Sequence, residues 1–318
     1  MNLVSLKFRI SMYLTLIIII GFTALVVGFI LSLIGITNIA VIAGFVAVIN
    51  IIEWLFGPKL IDALYRVREA KPGELEDVKE IIRNISQKAG IKEPKLMVAE
   101  VDLPNAFAYG SPLTGNRVAV TRGLLRILNK DEIEAVLGHE LGHIRHRDVQ
   151  VMLFVSVLPA ILYYIAYTFM LSSFFDERGN ANVLAIIGFI SFLGYLLLNL
   201  LVLAFSRSRE TYADLHSAQV VEGGARKLRS ALAKLYIYSY VISSRRPKEA
   251  KKASTTRALF IIDPSSLNPD DLKNLSMEEA IEYVSSRKMT AWDRIEELFS
   301  THPNIIRRIR FLKSLENQ

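Results

Sequence analysis

The chain has 318 residues, a formal net charge of +7 and no cysteine. Without thiols, disulfides and thiolate metal sites are excluded, so any zinc site must use histidines and carboxylates. Apolar residues make up 52% of the chain, too apolar for an ordinary soluble protein with this many charges.

No Asp, Glu, Lys, Arg or His occurs from Ile10 to Ile52, from Val149 to Phe175 or from Gly179 to Ser206. A membrane-crossing helix needs roughly 20 apolar residues, so these runs predict four spans. They fall at about Ile10–Leu33, Ile39–Phe56, Val151–Leu171 and Val183–Phe205. The first is too long for a cleaved signal peptide, lacks a small-residue cleavage site and leads straight into the second. Lys7 and Arg9, Lys59, Arg66 and Arg68, Arg145 and Arg147, and Arg207 and Arg209 flank the spans, whereas Asp176–Asn180 is net acidic. That asymmetry predicts a multi-pass cell-membrane protein with both termini and both long polar segments in the cytoplasm. The positive charge suits a face lying against anionic lipid, and nothing indicates nucleic acid. The expected organisation is a transmembrane hairpin at 1–57, half of a polar domain at 58–150, a second hairpin at 151–206 and the other half at 207–318.

Within the first polar segment, Leu60, Ile61, Leu64 and Val67 predict an amphipathic helix, and Val78, Ile81, Ile82 and Ile85 predict another over Leu75–Ala89. Lys95–Val101, Asn105–Tyr109 and Arg117–Val120 read as short strands, the last two around a turn at 110–115. A helix follows from about Asp131 to Arg147, with Asn129 as its cap and acids in its first turn. In the second segment a helix continues out of the fourth span through Glu210 and Asp214, and another runs from about Gly224 to Val241. Ser243–Lys252 reads as a solvated basic loop, and the stretch to Pro269 has little periodicity. Ser276 to Glu279 forms a capping box, and Ile305–Leu315 is the final helix.

Three of the five histidines fall within L-G-H-E-L-G-H-I-R-H-R-D, at 137–148. On a helix, His139 and His143 project from one face and can grip a single ion, and Glu140 stands close enough to take a proton from water without ligating. Catalytic zinc needs a third protein ligand. His146 lies on the same short helix, which cannot easily close three ligands round one ion, and reads as a surface residue. Glu210 is the better candidate, with Asp214 four residues on positioned to accept a hydrogen bond from a ligand imidazole. Two spans separate His143 from Glu210, so both return to one side of the membrane. From spacing alone, the Glu210 and Asp214 pair also fits an ordinary solvated helix face. His216 points elsewhere on its helix.

P-N-A-F-A-Y-G (104–110), V-T-R-G-L-L (120–125), E-A-V-L-G-H-E-L-G-H-I-R-H-R-D (134–148), S-R-S-R-E-T-Y-A-D (206–214) and T-H-P (301–303) occur in order. Together they resemble HtpX-type membrane metallopeptidases of peptidase family M48, which also contains the Ste24 CAAX proteases. The resemblance implies one zinc per chain on His139, His143 and Glu210, with Glu140 as general base. It also implies a gluzincin-like α+β domain in which a small sheet overlies the metal-binding helix. Asn105, a turn residue by its own context, would lie in the edge strand that pairs with a peptide substrate. His302, otherwise a histidine in a pre-helical turn, would sit near the active site as an oxyanion donor.

The expected activity is zinc-dependent endopeptidase action at the cytoplasmic membrane surface, on protein or peptide substrates. The resemblance implies misfolded or unassembled membrane proteins and a quality-control role. A CAAX-type processing protease shares every catalytic residue, but Ste24 relatives are larger with more spans. A zinc-binding, non-catalytic membrane scaffold would have no use for Glu140. A transporter would carry ionisable groups inside its spans, and these spans hold none.

Overall fold

The computed structural model of the chain describes residues 39–177, 179–245 and 277–316. The first expected span, the basic stretch beyond Arg245 and the capping Ser276 lie outside the described residues. In chain order, helix α1 (Ile39–Leu64) precedes strand β1 (Val67–Glu69), helix α2 (Glu76–Ala89) and strands β2 (Lys95–Ala99), β3 (Ala106–Ser111) and β4 (Gly115–Thr121). Helices α3 (Arg122–Ile127), α4 (Lys130–Arg145), α5 (Asp148–Phe174), α6 (Ala181–Val220), α7 (Gly224–Arg245), α8 (Met277–Ser286), α9 (Ala291–Leu298) and α10 (Ile305–Leu315) follow. The described residues divide into two compact units, one within Leu3–Trp54 and Gln150–Ala204, the other within Leu55–Val149 and Phe205–Gln318.

In the first unit, α5 and α6 are long and apolar enough to cross a membrane. Only 20% and 11% of their apolar windows is buried, which separates them from the core helices of a soluble protein. They close on each other at Gly188, where any Cβ would collide with the Met170 backbone.

The second unit carries the mixed sheet, in the order β1-β2-β4-β3. β2 and β4 run parallel, while β1 and β3 pair antiparallel on the outside, so β3 is an edge strand. Val118 and Val120 of β4 face one side and join Ile82 and Ile85 of α2, Leu137 and Leu141 of α4, Leu232 and Tyr236 of α7, and Ile309 and Leu312 of α10 in a single core. Each fully buried large apolar side chain there contributes about 1.5–3 kcal/mol. Ala119, on the opposite face, packs with Met97, Phe107, Tyr109 and Ile61. Asp62 accepts a hydrogen bond from Tyr109 Oη at 2.7 Å, and Leu55 O accepts one from Ser111 Oγ at 3.1 Å. These bonds hold the end of α1 against the sheet.

Several boundaries differ from those expected. The apolar run expected as the second span and the amphipathic helix expected after it form one helix that continues through Pro58, and Val67 belongs to β1. Its three residues are too few to generate a visible alternation. The metal-motif helix stops at Arg145, because Arg147 adopts a left-handed φ of 54°. Helix α7 extends to Arg245, so Ser243 and Ser244 are helical rather than part of the basic loop. Helices α3 and α9 were not anticipated. The final helix is found as expected, at Ile305–Leu315.

Candidate metal centre

The site is assembled on α4, whose start is set by a complete capping box. Asn129 accepts from the Glu132 backbone at 2.9 Å, and the Glu132 carboxylate accepts from the Asn129 backbone at 3.0 Å. Glycines let the face of α4 that meets α6 approach it closely. A Cβ at Gly138 would lie 2.9 Å from Val221 Cγ2, and one at Gly142 would lie 3.3 Å from Ala213 Cα and 3.2 Å from His216 Cβ. Ser217 Oγ donates to Ala135 O at 2.6 Å across the same contact. This close approach sets Glu210 and Asp214 beside the two histidines.

His139 Nε2 and His143 Nε2 are 3.2 Å apart, and each is 3.5 Å from an oxygen of Glu210. Four-coordinate zinc with ligands at ~2.0–2.1 Å places neighbouring donors ~3.3 Å apart, so the two Nε2 atoms and the Glu210 carboxylate, which offers a different oxygen to each, fit its coordination shell. Two imidazoles and a carboxylate are also one of the donor sets that catalytic zinc uses. The other nitrogen of each ring is occupied by a carboxylate. His139 Nδ1 lies 2.9 Å from Asp214 Oδ1, and His143 Nδ1 lies 2.5 Å from Asp148 Oδ2. This arrangement fixes the tautomer that turns both Nε2 atoms toward one point. Each aspartate is gripped in turn by an arginine. Arg308 donates twice to Asp214, at 2.9 and 2.6 Å, and Arg209 pairs with Asp148 at 2.7 Å.

The surroundings set the charges. Burial alone would lower His139, yet the carboxylates of Asp214 and Glu210 push it up to about 9. Burial lowers His143. Against the cost of burial, His302 and the two site histidines hold Glu210 well below the usual carboxylate range. Arg308 and His139 similarly hold Asp214 down. Burial raises Glu140. Its Oε2 accepts the backbone N–H of Ala108 at 2.9 Å, which ties this carboxylate to edge strand β3.

His302 Nδ1 stands 3.3 Å from Glu210 Oε2 without hydrogen-bond alignment. Asn105 lies one residue ahead of β3 rather than within it. It is buried, donates its N–H to Thr121 Oγ1 at 2.9 Å and accepts the Thr121 N–H at 3.0 Å. His146 caps the end of α4 and is exposed, with its ring 5.7 Å from that of His216. Neither histidine belongs to the cluster that could hold a metal.

Sequence reasoning missed Asp148, Arg209 and Arg308. Asp148 closes the quoted histidine motif but follows a turn that periodicity does not reveal. Arg308 left a usable signal, because it shares the inward face of α10 with Ile305, Ile309 and Leu312, where an unpaired cation would be untenable.

Residues 72–316 match the family model for peptidase family M48. A protein named Protease HtpX homolog from Thermoplasma acidophilum is 38% identical, over 99% of both chains. Another of that name, from Aeropyrum pernix, is 40% identical over 84% of this chain and 83% of its own. The crystal structure of S. mikatae Ste24p aligns with a TM-score of 0.57 at 19% identity, over 97% of this chain and 67% of that one, a likeness of fold.

Proposed function

The chain belongs to peptidase family M48 and is a membrane zinc metalloprotease, and on that premise we propose that His139, His143 and Glu210 hold one zinc per chain while Glu140 is the general base. The convergence of two Nε2 atoms and a carboxylate beside a glutamate bonded to an edge strand carries this reading. When bound, zinc supplies Lewis acidity that polarises a peptide carbonyl and acidifies water. Glu140 accepts a proton from the attacking water and returns it to the leaving amine. An extended substrate adds itself to the outer edge of β3, next to Asn105, where the Ala108 N–H turns away from β4. His302, beside Glu210, donates to the developing oxyanion. Asp214 orients His139.

The uncharged runs and their Lys and Arg flanks support four spans, with both termini and the site in the cytoplasm. The catalytic domain is then split between 58–150 and 207–318, each half following a transmembrane hairpin. A site anchored at the membrane surface suits misfolded or unassembled membrane proteins as substrates, a quality-control role. The test compares detergent-purified wild type with Glu140→Gln, measuring zinc per chain and cleavage of an unfolded protein. One zinc in each, with cleavage at least ~100-fold slower in the variant, is expected. Equal cleavage by the two would remove Glu140 from the mechanism.

A further inference from the structure

Helix α9 is folded with its faces reversed. Its buried positions are the acids Asp293 and Glu297, while Trp292, Ile295, Leu298 and the adjoining Phe299 are 40%, 46%, 52% and 49% exposed. The acids face inward because they have work there. Asp293 closes a capping box with Thr290 at 2.7 Å, and Glu297 accepts the Asn304 N–H at 3.0 Å and pairs with Arg307 at 2.8 Å. The spacing of the four apolar residues gathers them on one face of the helix, opposite the acids. Single exposed apolar residues are ordinary, but a contiguous apolar face marks a contact surface.

Two observations say what covers that face. The first is charge. Lys288, Arg294, Arg307 and Arg310, with Met289, line an open cleft of about 630 Å³ that reaches α9 through Arg294. Arg307 is matched by Glu297, but among the described residues Lys288 and Arg294 have no ion-pair partner, and Arg310 donates only to the Arg287 carbonyl. The second is depth. Arg207, the first charged residue after the uncharged run 179–206, donates to Leu298 O at 3.2 Å and Ser300 O at 2.9 Å. The C-terminal end of α9 is thereby fastened to α6 at the point where its apolar run gives way to charge, the level of the lipid headgroups.

We propose that α9 is a second, non-spanning membrane contact, with Trp292, Ile295, Leu298 and Phe299 in the interface of an anionic bilayer and Lys288, Arg294 and Arg310 paired with its headgroups. Such a contact holds the α9–α10 connection, which carries His302, at the bilayer surface.

The chain has two tryptophans, so Trp54→Phe leaves Trp292 as the sole indole reporter. The full-length variant is reconstituted into vesicles, with brominated lipid as the membrane quencher and acrylamide as the aqueous one. The expected result is blue-shifted emission quenched by brominated lipid and shielded from acrylamide. That quenching is stronger in anionic than in zwitterionic vesicles and unchanged by excess inorganic phosphate. Lys288→Gln with Arg294→Gln removes the difference between the two lipids. Quenching by acrylamide alone overturns the proposal, because the face is then in water. Protection from both quenchers overturns it too, because protein then covers the face. Equal quenching in both lipids, or release by phosphate, overturns the headgroup pairing. Should Trp54→Phe fold poorly, Leu298→Cys carrying a nitroxide in this cysteine-free chain reads the same depth, by oxygen against nickel-chelate accessibility.

Discussion

The two histidines of the candidate metal centre are supported by the same chemical chain, imidazole to carboxylate to guanidinium, in two different environments. Around His139 the chain is dry, since His139, Asp214 and Arg308 side chains are each at most 2% exposed and come from three separate helices. Around His143 it reaches the edge of the domain, with His143 and Arg209 17% and 14% exposed and Asp148 only five residues beyond the histidine. Burial still draws Arg209 down to about 10. Identical hydrogen-bond logic should therefore have unequal consequences. In the dry chain a missing partner leaves a charge that nothing can solvate, whereas in the outer chain water can take its place.

The sharpest way to break the parallel is Arg308→Ala, which strands the Asp214 carboxylate in the core. It should cost about 3–5 kcal/mol in denaturant or thermal unfolding in micelles. Zinc affinity should fall ~10–100-fold through the loosened His139. Arg308→Lys restores the charge without the two-pronged grip and should recover only part of both losses. If Arg308→Ala costs no more than the outer variants, the distinction between dry and wet supports is wrong. Gly142→Ala is the control that should disturb both supports together, because the added methyl pushes back the helix carrying Arg209, Glu210 and Asp214. A loss of about 1–3 kcal/mol, accompanied by weaker zinc binding, is expected from overpacking. Arg209→Ala should cost only about 1–2 kcal/mol. Asp148→Asn should weaken zinc binding near the lower, ~10-fold, end of the range. The smallest expected effect is favourable. Arg147 holds a left-handed backbone in the turn that delivers Asp148 to His143, so Arg147→Gly should gain up to about 1 kcal/mol in thermal unfolding with zinc content unchanged.

How much of this was legible in the chain differs element by element. The metal-motif helix could be read in full, from Asn129 through the acids of its first turn to His143, because capping and side-chain spacing are local properties. The Glu210 and Asp214 pair was legible as a candidate, since an even number of apolar runs returns it to the side of the histidines. Strand β1 was not, because three residues carry no period and exist only by pairing with β2. Helix α9 was legible but missed, since its apolar residues recur at helical spacing and Thr290 with Asp293 forms a capping box; only the direction its apolar face takes, outward, needed the tertiary structure.

Local order, the apolar runs, the candidate metal-binding pair of histidines and the glutamate between them were determined by the sequence itself, through interactions within a few turns of chain. Which aspartate serves which histidine, and which arginine serves each aspartate, was decided only by tertiary structure. Arg308 stands 169 residues from His139, and nothing in either neighbourhood signals the other. Their connection arises because two glycines let α6 approach α4, and because Arg308 of α10 reaches the carboxylate buried in that contact.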